Sequence, residues 1–217
     1  MERAPLLADA PGVLDPHPGA PLSIAAEPGR VLGLAGPPGS GLTRLGLSLL
    51  AAPSTTGMVA VVDVRGWLCP IAAWEVGISP ERLVVVRCPD RRPWLQVTAS
   101  LLEGFPAVLA EVPSGVRDAD LRRLAALSRA RRSALVLRPV SGDIPPGVLH
   151  LRIESEGIHW EGVGRGHGAL LRRRLILRAS GKGARGIEHV LEMEDDGSHP
   201  VHLVPGLAAA PSGLAAG

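Results

Sequence analysis

The residues that could do chemistry lie in a Gly-rich segment between an apolar run and a helical pattern. Its glycines and its threonine have the spacing of a phosphate loop, in which backbone N–H groups surround phosphate oxygens and the hydroxyl binds Mg²⁺. A helix that begins directly after such a loop adds a dipole that favours negative charge. ATP is the cofactor that this spacing would accommodate. The candidate nucleotide-binding residues are Gly36, Gly39, Gly41 and Thr43.

One residue of this segment departs from the phosphate-loop pattern. Leu42 stands where a lysine would contact the β- and γ-phosphates and neutralise the charge of phosphoryl transfer. Leucine supplies no charge-assisted hydrogen bond, an interaction worth about 1.5–3 kcal/mol. Arg44 follows closely, but a helix turns by about 100° per residue, so its side chain points away from the loop. The segment therefore predicts either a turn without a ligand or residual nucleotide binding. It favours a protein that is not an enzyme, with a weak ATPase as the alternative.

The elements around this segment alternate between short apolar runs and helical patterns. Such alternation predicts an α/β fold with a mostly parallel sheet and right-handed crossovers. After Pro146, apolar runs follow one another without helices, which predicts antiparallel strands that extend the same sheet. The predicted parallel strands are 31–35, 58–62, 83–86, 107–110 and 134–137, and the predicted helices are 43–51, 70–77, 93–104 and 118–132. The predicted antiparallel strands are 148–153, 158–160, 175–177 and 190–193.

The composition is typical of one folded domain. Hydrophobic residues make up 46% of the 217 residues and aromatic residues only 2%, so the core must be built from aliphatic side chains, as in many parallel sheets. Residues 1–28 and 198–217 are rich in Ala, Gly and Pro. This bias predicts a flexible N-terminal segment and a disordered C-terminal tail on either side of a domain that spans residues 29–197.

The sequence predicts a cytoplasmic protein with neither a metal site nor a membrane span. The N-terminus lacks the long apolar run of a signal peptide, and no apolar stretch is long enough to cross a bilayer. Cys69 and Cys88 match no metal or redox spacing, so we expect reduced thiols. The histidines include no pair at helical spacing beside a carboxylate, and no metal site is expected from them.

Charge is unevenly distributed along the chain, although the net charge is only +2. Residues 117–185 carry 15 basic and 6 acidic side chains, net +9, whereas residues 186–217 carry 5 acidic and no basic ones, net −5. The basic section predicts either a weak contact with DNA or another anionic partner, or arginines that only solvate their elements and protect a strand edge. The candidate contacts are Arg172, Arg173, Arg174, Arg178 and Lys182.

The Gly-rich segment and two stretches after it resemble the RecA core. Residues 61–65 (Val-Val-Asp-Val-Arg) match a strand that ends in an acid, and residues 70–83 match the helix and the step into the next strand. The basic run at 172–178, with its acidic end at 194–197, resembles the late antiparallel hairpin of RecA. The resemblance implies a RecA-like P-loop core over about residues 29–197.

The departures from RecA lie at its functional positions. Arg65 stands where the resemblance places the glutamate that activates water, and an arginine cannot act as a base there. Glu111 stands where a Mg²⁺-linked aspartate is expected and is one methylene longer, which makes it the candidate magnesium-side acid. The DNA-binding loop that follows the fifth strand in RecA is reduced to residues 141–147. Together these changes predict a fold that kept its packing and lost its reaction.

This combination is similar to the actinobacterial ImuA-type proteins, RecA-like factors of the SOS mutasome. The most similar stretches are 66–70 (Gly-Trp-Leu-Cys-Pro) and 179–183 (Ala-Ser-Gly-Lys-Gly). The resemblance implies an accessory factor in DNA-damage-induced translesion synthesis and mutagenesis. It also implies two partners: ImuB, an inactive Y-family polymerase homologue bound through the C-terminal part of the chain, and a specialised C-family polymerase.

Two other functions fit a divergent RecA-like chain. One is a divergent RecA-type ATPase driven by DNA, which would hydrolyse ATP in the presence of single-stranded DNA. The other is a cell-division inhibitor of the SulA type, which would bind the tubulin-like division protein and cause filamentation.

Overall fold

The computed structural model describes residues 24–145, 147–162, 171–185, 189–195 and 202–205. The strands are β1 Val31–Ala35, β2 Val59–Asp63, β3 Leu83–Arg87, β4 Ala107–Val112, β5 Ala134–Pro139, β6 Leu151–Glu161, β7 Arg172–Ser180, β8 His189–Asp195 and β9 His202–Pro205. The helices are α1 Leu42–Ser54, α2 Ile71–Trp74, α3 Arg91–Gly104 and α4 Asp118–Arg131. Single 3₁₀ turns lie at Pro80–Arg82 and Lys182–Ala184.

One mixed sheet organises these elements, with strand order β3-β2-β4-β5-β1-β6-β7-β8-β9. Every neighbouring pair from β3 to β6 is parallel, and the pairs from β6 to β9 are antiparallel. The sheet confirms the predicted α/β class, with a largely parallel sheet and antiparallel strands near the C-terminus. Residues predicted as five separate parallel strands lie in β1 to β5.

The two faces of the sheet carry different helices because the chain reverses direction. The chain moves outward from β1 to β3 and then returns through β4 to β5, and a right-handed crossover must change faces when the direction reverses. Helices α1 and α2 therefore pack in one core cluster, and α3 and α4 in the other. Within β2, Val59 and Val61 belong to the first cluster and Ala60 and Val62 to the second, as the alternation of strand side chains requires.

The prediction of two separate strands over residues 148–160 is wrong, because the chain forms one long strand there, β6. This strand is antiparallel to β7, as predicted for the extension, and parallel to β1 on its other side. A shift in pairing between Ser155 and Gly157 interrupts the regular register with β7. Such a bulge breaks the apolar alternation, which is why the sequence pattern splits into two short runs.

The domain extends beyond both of its predicted boundaries. Ile24 is buried and belongs to the first core cluster, so the folded part begins before residue 29. Residues His202–Pro205 pair with β8 as an additional strand, although the sequence predicts a disordered tail over 198–217. Residues 1–23 of the predicted flexible segment, and the tail residues 198–201 and 206–217, lie outside the described residues.

Candidate functional site

A cavity of 320 Å³ lies where the carboxyl ends of β2, β4 and β5 meet the Gly-rich loop between β1 and α1. In open α/β sheets, ligands bind outside the carboxyl ends of the strands, where the strand order reverses. Two residues predicted to bind nucleotide, Gly39 and Thr43, line this cavity together with Glu111. The other lining residues are Pro38, Val61, Asp63, Arg65, Trp67, Leu68, Cys69, Ala72, Leu109 and Arg138.

The Gly-rich loop, residues 36–41, leads directly into α1. Gly41 precedes the helix with φ = 75°, a left-handed conformation that favours glycine. A Cβ atom at this position would lie 2.7 Å from Leu175 Cδ1 and 3.4 Å from the guanidinium carbon of Arg173. The first N–H groups of an α-helix have no intrahelical acceptors, so this end of α1 favours negative charge.

The residue at the lysine position of the loop is part of the hydrophobic core. Leu42 is fully buried in the cluster beneath α1. Its Cδ1 atom would lie 2.9 Å from a Cβ atom built on Gly36, so the side chain fills the space against the start of the loop. Arg44 does not replace the missing cation, because its Nη1 atom donates to Glu75 Oε2 at 2.7 Å. Glu75 directly follows α2.

The carboxylate of Asp63 ends β2 and organises the turn that follows. It is buried and accepts hydrogen bonds from three successive backbone N–H groups, those of Gly66 at 2.8 Å, Trp67 at 3.3 Å and Leu68 at 3.2 Å. These bonds replace the hydration that the carboxylate loses on burial. The aspartate therefore has a structural task in holding the segment 66–68 at the cavity.

Both oxygens of Glu111, the candidate magnesium-side acid, are occupied by protein donors. Oε2 accepts the backbone N–H groups of Val64 and Arg65, each at 3.0 Å. Oε1 accepts Arg65 Nε at 2.9 Å and Arg138 Nη1 at 3.3 Å, and it also contacts Arg65 Nη2. A carboxylate offers about four lone-pair sites, so these five contacts leave no oxygen site for a metal ion. The residues present do not fit Mg²⁺ at this position.

Two tryptophans contact the residues of this charged cluster. Trp94 of α3 is fully buried and donates its indole N–H to the carbonyl oxygen of Glu111 at 2.7 Å. Trp67 is 68% exposed, and the guanidinium of Arg65 lies 4.6 Å from its ring centroid. The cation–π contact orients Arg65 toward the carboxylate at the mouth of the cavity.

The arginines of β7 do not form one basic surface. Arg173 lies beside Gly41 and 5.6 Å from the Trp160 ring centroid, on the face opposite to Arg172 and Arg174. Arg174 forms an ion pair with Glu161 at 3.8 Å. Arg178 forms an ion pair with Glu156, and the exposed Arg172 lies opposite Glu161 in the strand register. Glutamates of β6 thus neutralise part of the predicted contact surface.

Lys182, the last candidate contact, lies elsewhere. It follows β7 in a short 3₁₀ turn and lines a separate cavity at the amino ends of β1 and β6. The structure therefore brings Gly39, Thr43 and Glu111 into one site, places Arg173 beside the loop, and separates Lys182 from all of them.

Sequence reasoning missed Arg138 and the role of Trp94. Arg138 lies in β5 directly after four apolar residues, 134–137. Its side chain is only 6% exposed. A lone arginine in a buried strand needs a counter-charge, and this is the signal that the sequence offers. Nothing in the sequence near Trp94 indicates that its indole would bind the backbone of a residue 17 positions away.

Among the described residues, no group of three or more His, Cys, Asp or Glu side chains is placed to hold a metal ion. No helix in the described part of the chain is both long and apolar enough to cross a membrane.

Comparison with known proteins places the chain in a family. No curated protein is similar enough to the chain to match it. The model of the MT3502 N-terminal domain family matches residues 24–143, which is more than half of the 217 residues. The matched segment holds β1 to β5, the four helices and every residue that lines the cavity at the Gly-rich loop. The chain therefore belongs to the MT3502 N-terminal domain family.

Proposed function

We propose that this chain is a non-catalytic, RecA-like adaptor in SOS-induced translesion synthesis. In this role it binds an ImuB-type polymerase homologue and acts together with a specialised C-family polymerase. The observation that carries the non-catalytic part is the state of Glu111, whose two oxygens are filled by Arg65, Arg138 and two backbone N–H groups.

The geometry of the loop supports the same conclusion. Phosphoryl transfer depends on a cation at the terminal phosphates, a metal ion and a group that positions water. Leu42, at the position that a lysine would occupy, is buried in the core. Arg65, at the position where a base would be needed, is bound to Glu111. On this interpretation the turn of a phosphate loop remains, whereas the lysine position is filled by a core leucine and the base position by an arginine that pairs with Glu111.

The arrangement of elements supports a RecA-like core for this adaptor. The Gly-rich loop joins β1 to α1, β2 ends in Asp63, and an antiparallel hairpin of β7 and β8 follows the parallel strands. These are the features on which the resemblance to RecA rests, and they occur in the same order along the chain.

Exposed apolar side chains support a role in protein binding. In the antiparallel extension, Trp160 on β6 is 49% exposed, and Leu171, directly before β7, is 68% exposed. Large apolar side chains at the surface, tryptophan above all, are enriched where proteins bind one another. The resemblance assigns ImuB binding to the C-terminal part of the chain, which is where these residues lie.

Co-purification of the full chain with an ImuB-type polymerase homologue tests the proposal. We expect binding, and we expect Trp160→Ala to weaken it by about thirtyfold, the effect of losing an interface tryptophan. Trp74→Ala is the matched control, because Trp74 is 45% exposed but lies on α2. Absence of binding by the wild-type chain would contradict the adaptor function, and an effect of Trp74→Ala alone would place the interface at α2 and not at the antiparallel extension.

An ATPase measurement with single-stranded DNA tests the other half of the proposal. We expect the wild type to hydrolyse ATP no faster than Thr43→Ala, and we expect no hydrolysis by Leu42→Lys. The reason is that Arg65 still occupies Glu111 in the wild type and in both variants. DNA-stimulated hydrolysis that Thr43→Ala abolishes would overturn the non-catalytic assignment in favour of a divergent RecA-type ATPase.

A further inference from the structure

A second cavity, of 300 Å³, lies at the opposite end of the sheet from the Gly-rich loop. It opens between the start of β1, the start of β6, the last turn of α4 and the turn after β7. Four separate parts of the chain thus converge on a space that the adaptor function does not use. The lining residues are Gly29, Arg30, Val31, Arg129, Gly147, Val148, Leu149, His150 and Lys182.

The polar side chains of this second cavity are basic. Arg30, Arg129 and Lys182 each come from a different part of the chain, and His150 is the fourth nitrogen-bearing side chain. Arg30 lies 3.8 Å from Glu27, with both side chains at least half exposed, so that this pair is weak. Among the described residues, no carboxylate forms an ion pair with Arg129 or Lys182. Three cationic residues therefore line this space, and one of them has a weakly held counter-charge.

The turn that presents Lys182 is fixed by its contact with His150. Gly183 donates its N–H to the carbonyl oxygen of His150 at 2.8 Å. A Cβ atom on Gly181 would lie 2.9 Å from that same oxygen, and one on Gly183 would lie 3.0 Å from the imidazole ring. Glycine at position 181 is therefore required for the turn to approach the backbone of His150 this closely, and Gly183 leaves room for the imidazole ring. The backbone contacts of this turn therefore fix the position of Lys182 at the cavity.

We infer that this second cavity binds a phosphate group. A phosphate presents several oxygens and up to two negative charges, which two arginines and a lysine recognise through charge-assisted hydrogen bonds. A volume of 300 Å³ accommodates the phosphate together with part of the molecule that carries it. The phosphate belongs either to a free compound or to a nucleic-acid backbone. This site is distinct from the Gly-rich loop and goes beyond the adaptor function.

Calorimetric titration with inorganic pyrophosphate at constant ionic strength tests the assignment. We expect binding by the wild type and a loss of about tenfold in affinity for Lys182→Gln, as for one charge-assisted hydrogen bond. Arg92→Gln is the control for net charge, because Arg92 is exposed on α3 and does not line the cavity. Thr43→Val is the control for binding at the Gly-rich loop instead.

A variant that keeps every charge separates the geometry of the site from bulk attraction. Gly181→Ala must displace the turn, because its Cβ atom would lie 2.9 Å from the backbone oxygen of His150 at φ = 107°, so we expect it to weaken pyrophosphate binding while the net charge stays unchanged. Circular dichroism at the assay temperature checks that each variant is folded. Equal affinities in wild type and Lys182→Gln, or an equal loss in Arg92→Gln or Thr43→Val, would overturn the assignment.

A labelled single-stranded oligonucleotide distinguishes the two sources of the phosphate. Oligonucleotide binding that pyrophosphate displaces and Lys182→Gln weakens would identify a nucleic-acid backbone as the ligand. Pyrophosphate binding without oligonucleotide binding would identify a free phosphate compound. Absence of both from the wild-type chain would overturn the inference, and it would leave the adaptor proposal standing on its own tests.

Discussion

The two cavities at opposite ends of the parallel sheet both contain arginines, but they use them differently. At the carboxyl end, Arg65 and Arg138 are bound to Glu111. At the amino end, Arg129 and Lys182 form no ion pair with any described carboxylate. The side chains of the first group are 6–12% exposed, whereas Arg129 and Lys182 are exposed.

Burial explains the difference. A charge removed from water must be paired and hydrogen-bonded, because an uncompensated buried charge costs several kcal/mol, roughly 3–5 when one partner is deleted. The arginines at the first cavity therefore stabilise the fold through Glu111 and are not available to a ligand. The exposed cations at the other end keep their hydration and remain available to a ligand. The comparison predicts large effects on stability at the first cavity and effects on binding at the second.

Replacing Glu111 by Gln should have the largest effect on stability. Arg65 and Arg138 would stay buried without a counter-charge, so we expect the free energy of unfolding to fall by about 3–5 kcal/mol in urea denaturation. Glu103→Gln is the matched control, since Glu103 pairs with Arg131 and both side chains are about half exposed. It should cost less than about 1 kcal/mol. A similar small loss for both variants would mean that the buried cluster does not hold the fold.

Leu42→Ala should be nearly as damaging as loss of Glu111. The side chain is fully buried beneath α1, so its truncation should lower the free energy of unfolding by about 2–5 kcal/mol. Leu42→Met, which keeps the volume, should cost less than about 1.5 kcal/mol. If Leu42→Ala were neutral, the side chain would be a dispensable remnant of a ligand site and not part of the core.

Asp63→Ala should have an intermediate effect. It removes the acceptor of three backbone N–H groups at residues 66–68, and we expect the unfolding free energy to fall by about 1–3 kcal/mol. Hydrogen exchange of these three amides should accelerate most. Asp118→Ala, at an exposed position on α4, is the control and should change neither measurement appreciably.

The smallest effect concerns the second cavity and depends on pH. Burial lowers the pKa of His150, the positive charges of Arg30 and Lys182 lower it further, and Glu27 partly opposes them. The folded chain thus binds the proton less readily than the unfolded chain. The free energy of unfolding should therefore decrease as the pH falls below the ordinary histidine pKa of about 6.5.

Denaturation at about pH 7.5 and about pH 5.5 measures this slope, in the range where histidine titrates. His150→Gln should remove the part that comes from His150, whereas His159→Gln, at an exposed position of β6, serves as the control. Saturating pyrophosphate should flatten the slope of the wild type, since a bound anion favours the imidazolium form. A slope that His150→Gln leaves unchanged would show that another group causes the pH dependence.

Local patterns predicted much of the fold. β1 lies at the predicted residues, and α4 begins at Asp118 as its acidic first turn suggests. The predictions failed where local pattern and long-range pairing disagree. The bulge in β6 hides a continuous strand, and β9 pairs with β8 inside the segment that composition predicts to be disordered. The predicted helix over 70–77 is longer than α2, which ends at Trp74. The helical pattern of the sequence continues past this residue.

The sequence by itself determined the phosphate-loop spacing, the absence of its lysine and the order of strands and helices, because all of these depend on residues close together in the chain. Only the tertiary structure decided what the charges do. Glu111 meets Arg65 across 46 residues and Arg138 across 27, and Lys182 meets Arg30 and Arg129 only where four parts of the chain converge. Electrostatic interaction depends on distance and burial in space, and neither quantity is encoded locally.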